Sequence, residues 1–277
     1  MFLSCNKLSY LKLGFNTQYV RDMEQMFQEC SALESLDLST FKTEYVESMA
    51  KMFYGCSKLT SLDVSSFNTR NVNSMNAMFY NCRLVTSLNL ANFDTSRVTN
   101  MDEMFYFNQK LTSLDFPSFD TSQVVIMMSM FYGCSSLETI KIDKFDTSRV
   151  TNMARMFYEC KKLKSVDTSS FKTDNVDRMD SMFEKCLSLT SLDLSNWKTD
   201  KVTAMGNMFD SCSSLTKLDC SSFRTSEVES MYDMFYNCTS LVSLDVSNFD
   251  INKVYDIDHM FHGCSSLTSL NLRSFEV

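Results

Sequence analysis

The sequence predicts an α/β solenoid: a right-handed stack of about ten units, each with one short parallel strand and one short helix. Three observations predict it. A Met-Phe pair recurs at fixed phase along the chain, the residues leading up to each pair carry a helix-like apolar spacing, and those following it switch to apolar–polar alternation. The pairs begin at Met1, Met26, Met52, Met78, Met104, Met130, Met156, Met182, Met208, Met234 and Met260, so every step is 26 residues except the first, which is 25.

The helix is expected over V-x-x-M-x-x-M-F-x-x-C. In one unit Val150, Met153, Met156, Phe157 and Cys160 fall within an arc of roughly 140° at helical pitch, one apolar stripe. Thr95 and Thr147 stand where an N-cap would supply its side-chain oxygen to free amides. Gly55, Gly133 and Gly263, with Asn81 and Asn237 at the same place, suit a left-handed helix end. The strand is expected where the period becomes two, as in Leu36-Asp37-Leu38, Leu192-Asp193-Leu194 and Leu244-Asp245-Val246.

Stacking in register then creates the core as ladders of like residues. One ladder holds the strand leucines. A second runs from Phe41 through Phe67, Phe93, Phe119, Phe145, Phe171, Trp197, Phe223 and Phe249 to Phe275, and the Met-Phe pairs form a third. Packing accounts for the surplus of 21 Met and 23 Phe without a cofactor or soft-metal role. Five Gly and one Pro leave no flexible linker, so residues 1–277 read as one continuous solenoid. The chain starts on a Met-Phe step and stops at Phe275-Glu276-Val277 with no polar cap, which is expected of an excerpt of a longer chain or of rods that pack end to end.

Net charge near −8 removes the electrostatic footprint of a nucleic-acid binder, and no apolar run is long enough for direct membrane insertion. The sequence carries no signal peptide, phosphate loop or cofactor motif. Ten of eleven cysteines share one repeat position, and no C-x-x-C pair suggests zinc, so reduced thiols packed as small apolar groups are expected. The only histidines, His259 and His262, lie three apart near the C-terminal end and are read as solvent-facing substitutions, with no metal site and no catalytic residues.

Three surfaces stand out as candidates for ligand or partner binding. Asp37, Asp63, Asp115, Asp167, Asp193, Asp219 and Asp245 form an acidic stripe on the outer side of the strands, either a solvated face or a site for calcium or a basic ligand. Tyr54, Tyr80, Tyr106, Tyr132 and Tyr158 follow Met-Phe in five consecutive units, either covering the core's edge or offering contact to protein or glycan. Val125, Ile126 and Met128 are apolar where other units are mostly polar, a contact patch or simple drift.

Segments such as FDTSRVTNMDEMFYFN and LTSLDLSNWKTDKVTAMGNMFDSCSSL, the latter from Leu189, resemble the BspA-type leucine-rich repeat of surface proteins, and the resemblance covers nearly the whole chain. Asn108 in place of the ladder Cys, Ile251 in place of Thr, Ile257 in place of Met, and one residue missing before Phe15 depart from the pattern. The resemblance implies a leucine-rich-repeat-like solenoid, a cell-surface or secreted location, and adhesion to host or neighbouring-cell components. The expected function is therefore a non-enzymatic recognition module for protein or glycan partners. The alternative is a structural rod that self-associates end to end or laterally into a coat or fibre.

Overall fold

A computed structural model describes residues 1–14 and 16–275. Phe15, Glu276 and Val277, which entered the expectations about the first unit and the chain end, lie outside the described residues. The coils stack in parallel at the 26-residue period. Strand β1 (Ser113–Asp115) pairs with β2 (Thr139–Lys141), and β3 (Ser243–Asp245) with β4 (Ser269–Asn271), always residue i on residue i+26. The alternation that predicted strands is seen directly: Leu114 is buried between exposed Ser113 and Asp115. In most other coils the equivalent stretch forms no regular strand.

The expected helix is not formed. Among the described residues the only helical element is one short 3-10 turn, Arg273–Phe275. Backbone hydrogen bonds show why. In the unit around Met130, the N–H groups of Met127, Ser129, Phe131 and Gly133 donate to the next coil, to the carbonyls of Asn152, Ala154, Met156 and Tyr158, at 3.2, 2.9, 2.9 and 2.7 Å. The alternate N–H groups of Met130, Tyr132 and Cys134 close four-residue turns onto Met127, Ser129 and Phe131, at 3.3, 3.1 and 3.2 Å. An α-helix needs every N–H to point back along its own axis. Here half of them leave the coil.

Positive φ enforces the change. Ser129 at φ 54° and Gly133 at φ 69° are the third residues of the Met127–Met130 and Phe131–Cys134 turns, and the same two positions are left-handed in unit after unit. The Gly and Asn residues read as helix ends are thus left-handed as expected, but inside a run of turns. The segment also carries a ladder of single parallel bridges from Asp22 through Ser48, Ser74, Asn100, Ile126, Asn152, Arg178, Ala204 and Ser230 to Asp256.

The core is one apolar cluster running from Met23 to Met260. The Phe rows stack on themselves: Phe131 lies 5.4 Å from Phe157 at 17°, and Phe119 lies 6.4 Å from Phe145 at 3°. Each fully buried ring contributes about 1.5–3 kcal/mol of apolar burial. Trp197 continues the outer row at 6.3 Å from Phe171.

Two polar ladders run inside this core. Each buried Thr bridges coils and does not cap a helix: Thr147 Oγ1 donates to the Lys172 carbonyl at 2.9 Å and accepts the Lys172 N–H at 2.8 Å. The cysteines are free, and those of the ladder do more than fill space. From Cys30 onward each ladder thiol reaches the Phe carbonyl of the preceding coil, as Cys160 does to Phe131 at 3.2 Å, while that carbonyl also takes the Cys134 N–H. Burial pushes the thiol of Cys82, of Cys134 and of their neighbours well up, Cys82 and Cys134 to about 12, so they stay protonated donors. Asn108 reproduces the bond with Nδ2, 2.9 Å from the Phe79 carbonyl, and leaves its Oδ1 buried without a partner.

Candidate recognition surface

The acidic stripe is exposed as expected, and its geometry is set locally. Asp37, Asp63, Asp167, Asp193, Asp219 and Asp245 each accept, through Oδ1, the N–H of the Ser two residues on at 2.9 or 3.0 Å. Side-chain and backbone hydrogen bonds from that Ser hold these carboxyls below their usual range. Such a turn fixes the strand's exit. Asp115 departs from the rule for a physical reason: Pro117 has no N–H to give, and Asp115 instead pairs with Lys141 of the next coil at 2.9 Å. Among the described residues no group of three His, Cys, Asp or Glu is placed to hold a metal ion.

The tyrosines come together as a continuous half-buried strip. Ring centroids are 4.1 Å apart for Tyr54–Tyr80, 4.4 Å for Tyr80–Tyr106 and Tyr106–Tyr132, and 4.2 Å for Tyr132–Tyr158, with planes within 14° of parallel. Rings this close use their faces on one another. What remains to solvent is a line of ring edges and hydroxyl tips, and burial raises the phenols of Tyr80, Tyr106 and Tyr132 above their ordinary value. Phe107, left-handed at φ 54°, packs edge-on to Tyr106 and Tyr132 at 4.8 and 5.3 Å. Gly133 gives that ring its room.

The strip ends at a cation that composition alone did not suggest. Lys185 Nζ donates to the Tyr158 hydroxyl at 2.6 Å, sits 4.7 Å from that ring's centre, and pairs with nearly buried Glu184 at 2.9 Å. Val125, Ile126 and Met128 are half-buried: Ile126 sits in the bridge ladder between Asn100 and Asn152, and Met128 Sδ accepts from Asn152 Nδ2 at 3.8 Å. His262 is exposed and stacks on Tyr236 at 5.0 Å. His259 lies 3.8 Å from Asp233.

A family described as "Mycoplasma protein of unknown function, DUF285" matches residues 1–113, 82–191 and 164–275. The chain belongs to DUF285. Among solved structures, the DUF285 chain is similar to a leucine-rich repeat protein from Bacteroides ovatus, at 17% identity and TM-score 0.57 over 91% of this chain and 58% of that one. It is also similar to a leucine rich cell surface protein from Faecalibacterium prausnitzii, at 18% identity and TM-score 0.46 over 90% and 68%. The functional domain of InlJ from Listeria monocytogenes, which includes a cysteine ladder, matches at 18% identity and TM-score 0.27 over 91% and 53%. No curated protein matches the sequence.

The Bacteroides likeness places DUF285 among leucine-rich-repeat solenoids, and the resemblance to BspA-type repeats holds at the level of repeat and fold. The chain spans 58% of the length of that Bacteroides protein. Among the described residues no helix is long and apolar enough to cross a membrane.

Proposed function

We propose that the chain is a non-enzymatic recognition module carried at a cell surface, with the Tyr54–Tyr158 strip as its protein-contacting edge. The single observation behind this reading is the strip itself. Five stacked phenols cross five consecutive coils and end on Lys185, giving a rigid row of apolar edges and hydroxyl tips whose ordering cost is met within the fold. Tyr is favoured in protein interfaces for this combination of area and polarity. The regular coils favour display of a long surface over enclosure of a substrate, and the F. prausnitzii neighbour's description as a cell surface protein agrees with the setting.

The test is adhesion of beads coated with the purified chain to epithelial monolayers and to extracellular matrix. The expected result is retention above albumin-coated beads, falling at least about tenfold in Tyr80→Lys/Tyr132→Lys. Retention equal to albumin overturns the recognition reading. Retention unchanged in the double variant overturns the strip as its edge.

A further inference from the structure

A second pair of tyrosines has the opposite geometry. Tyr19 and Tyr45 stand two residues after the buried Thr17 and Thr43, at the corner where the chain leaves the Phe row. They are 78% and 46% exposed, and their centroids are 6.4 Å apart with planes 29° from parallel. In the Tyr54–Tyr158 strip the faces are closed at 4.1–4.4 Å. Here they are open. The residue stacked next to Tyr45 is Asn71, whose Nδ2 is tied to the Glu44 carbonyl at 2.7 Å and whose carboxamide is too short to cover a phenol ring.

Tyr45 is therefore the wall shared by two grooves. One is lined by Arg21, Tyr45, Glu47, Asn71, Asn73 and Arg97. The other runs past Gln18, Lys42, Glu44 and Arg70. The first groove combines planar polar groups of both kinds. Arg97 Nη1 donates to Asn71 Oδ1 at 3.1 Å, Arg21 pairs with Glu47 at 2.6 Å, and the exposed Asn73 side chain has no protein partner among the described residues. Charge is balanced, since Glu47 offsets Arg21 and Asp94 lies close enough to Arg97 to feel its charge.

An open aromatic face beside amides, guanidinium groups and carboxylate is the chemistry that holds a sugar ring. The C–H face of a pyranose lies on the phenol, and its rim hydroxyls, each both donor and acceptor, pair with Asn, Arg and Glu side chains. We propose that Tyr45, with Tyr19, Asn71, Asn73 and Arg97, forms a binding subsite for a neutral pyranose-based oligosaccharide. The subsite deepens the recognition reading of the chain, yet it stands on residues separate from the Tyr54–Tyr158 strip.

The experiment is calorimetric and saturation-transfer NMR titration of the full chain with four probes: hexasaccharides of β-1,4-glucose, α-1,4-glucose, β-1,4-mannose and β-1,4-N-acetylglucosamine. Binding of at least one with Kd on the order of millimolar or tighter is expected. Tyr45→Ala should weaken it at least about tenfold, and Asn73→Ala a few-fold. Tyr255→Ala, an exposed tyrosine remote in sequence from both grooves, should leave it unchanged, with Trp197 fluorescence confirming that each variant is folded. No binding of any probe at about 10 mM, or binding undiminished in Tyr45→Ala, overturns the proposal. A chain that adheres through the tyrosine strip but binds no hexasaccharide loses this inference alone. One that binds hexasaccharide without adhering through the strip loses only the protein-contact reading.

Discussion

Replacing Arg155 with glycine should stabilise the fold, and the sign of the effect separates stacked turns from a helix. Arg155 is exposed at φ 57°, and no hydrogen bond is formed by its side chain among the described residues. Holding a non-glycine residue left-handed costs about 1–2 kcal/mol. The greater freedom of glycine in the unfolded chain takes back about 0.5–1 kcal/mol, leaving a net gain of up to about 1.5 kcal/mol. Were this segment helical, glycine would instead destabilise it by about 0.8–1 kcal/mol.

Lys51, at φ 56°, occupies the same position four coils away, so Lys51→Gly/Arg155→Gly should show about twice the effect. Urea unfolding followed by the fluorescence of Trp197, the sole tryptophan and 1% exposed, reads the difference. Arg155→Ala serves as the reference, because alanine removes the side chain without relieving the backbone. A glycine variant less stable than the alanine variant refutes the reasoning.

Three other outcomes are expected. Thr147→Val should cost about 2–4 kcal/mol, because it strands the N–H and carbonyl of Lys172, whereas Thr147→Ser should retain most of that stability; urea midpoints compare the two. Asn108→Cys should raise stability by about 1–2 kcal/mol by removing the orphaned Oδ1 while keeping a donor to the Phe79 carbonyl, which thermal unfolding would register as a higher Tm. Burial first, and then the charge of Glu103, push the Asp102 carboxyl up to about 6, so the folded chain holds that proton more tightly than the unfolded chain and stability falls as pH rises from about 4 to 6. Asp102→Asn should flatten this slope, in a profile of urea midpoints against pH, by an amount that partial exposure keeps modest.

The repeat, its phase and its ladders were legible because each depends only on like residues recurring every 26 positions. The Leu-Asp-Leu alternation also carried over, since period two has one structural meaning. The helix was misread because V-x-x-M-x-x-M-F-x-x-C satisfies both a helical stripe and a chain of four-residue turns closed every three residues. The discriminating signal was present: Val150, Met153 and Met156 are spaced by threes, as are Phe157, Cys160 and Leu163, while a helical stripe alternates threes with fours. Glycine and Asn marked one left-handed position, but Lys51, Glu103 and Arg155 gave no hint of the other.

At the surface, Asp-x-Ser in six coils was a readable sign of a local turn. Tyr54–Tyr158 were readable as a row. Whether their faces were open or closed was not, because that depends on ring spacing. Tyr19 and Tyr45 recur only twice, too briefly to stand out as a row, and the open face of Tyr45 follows from the short Asn71 in the next coil.

The most direct test of the stacked-turn account is the NMR scalar coupling transmitted through hydrogen bonds in isotopically labelled protein. Stacked turns give a correlation between the Phe131 amide nitrogen and the Met156 carbonyl carbon, across the 2.9 Å bond between coils. A correlation from Phe131 to the Met127 carbonyl, the helical partner four residues back, would contradict them.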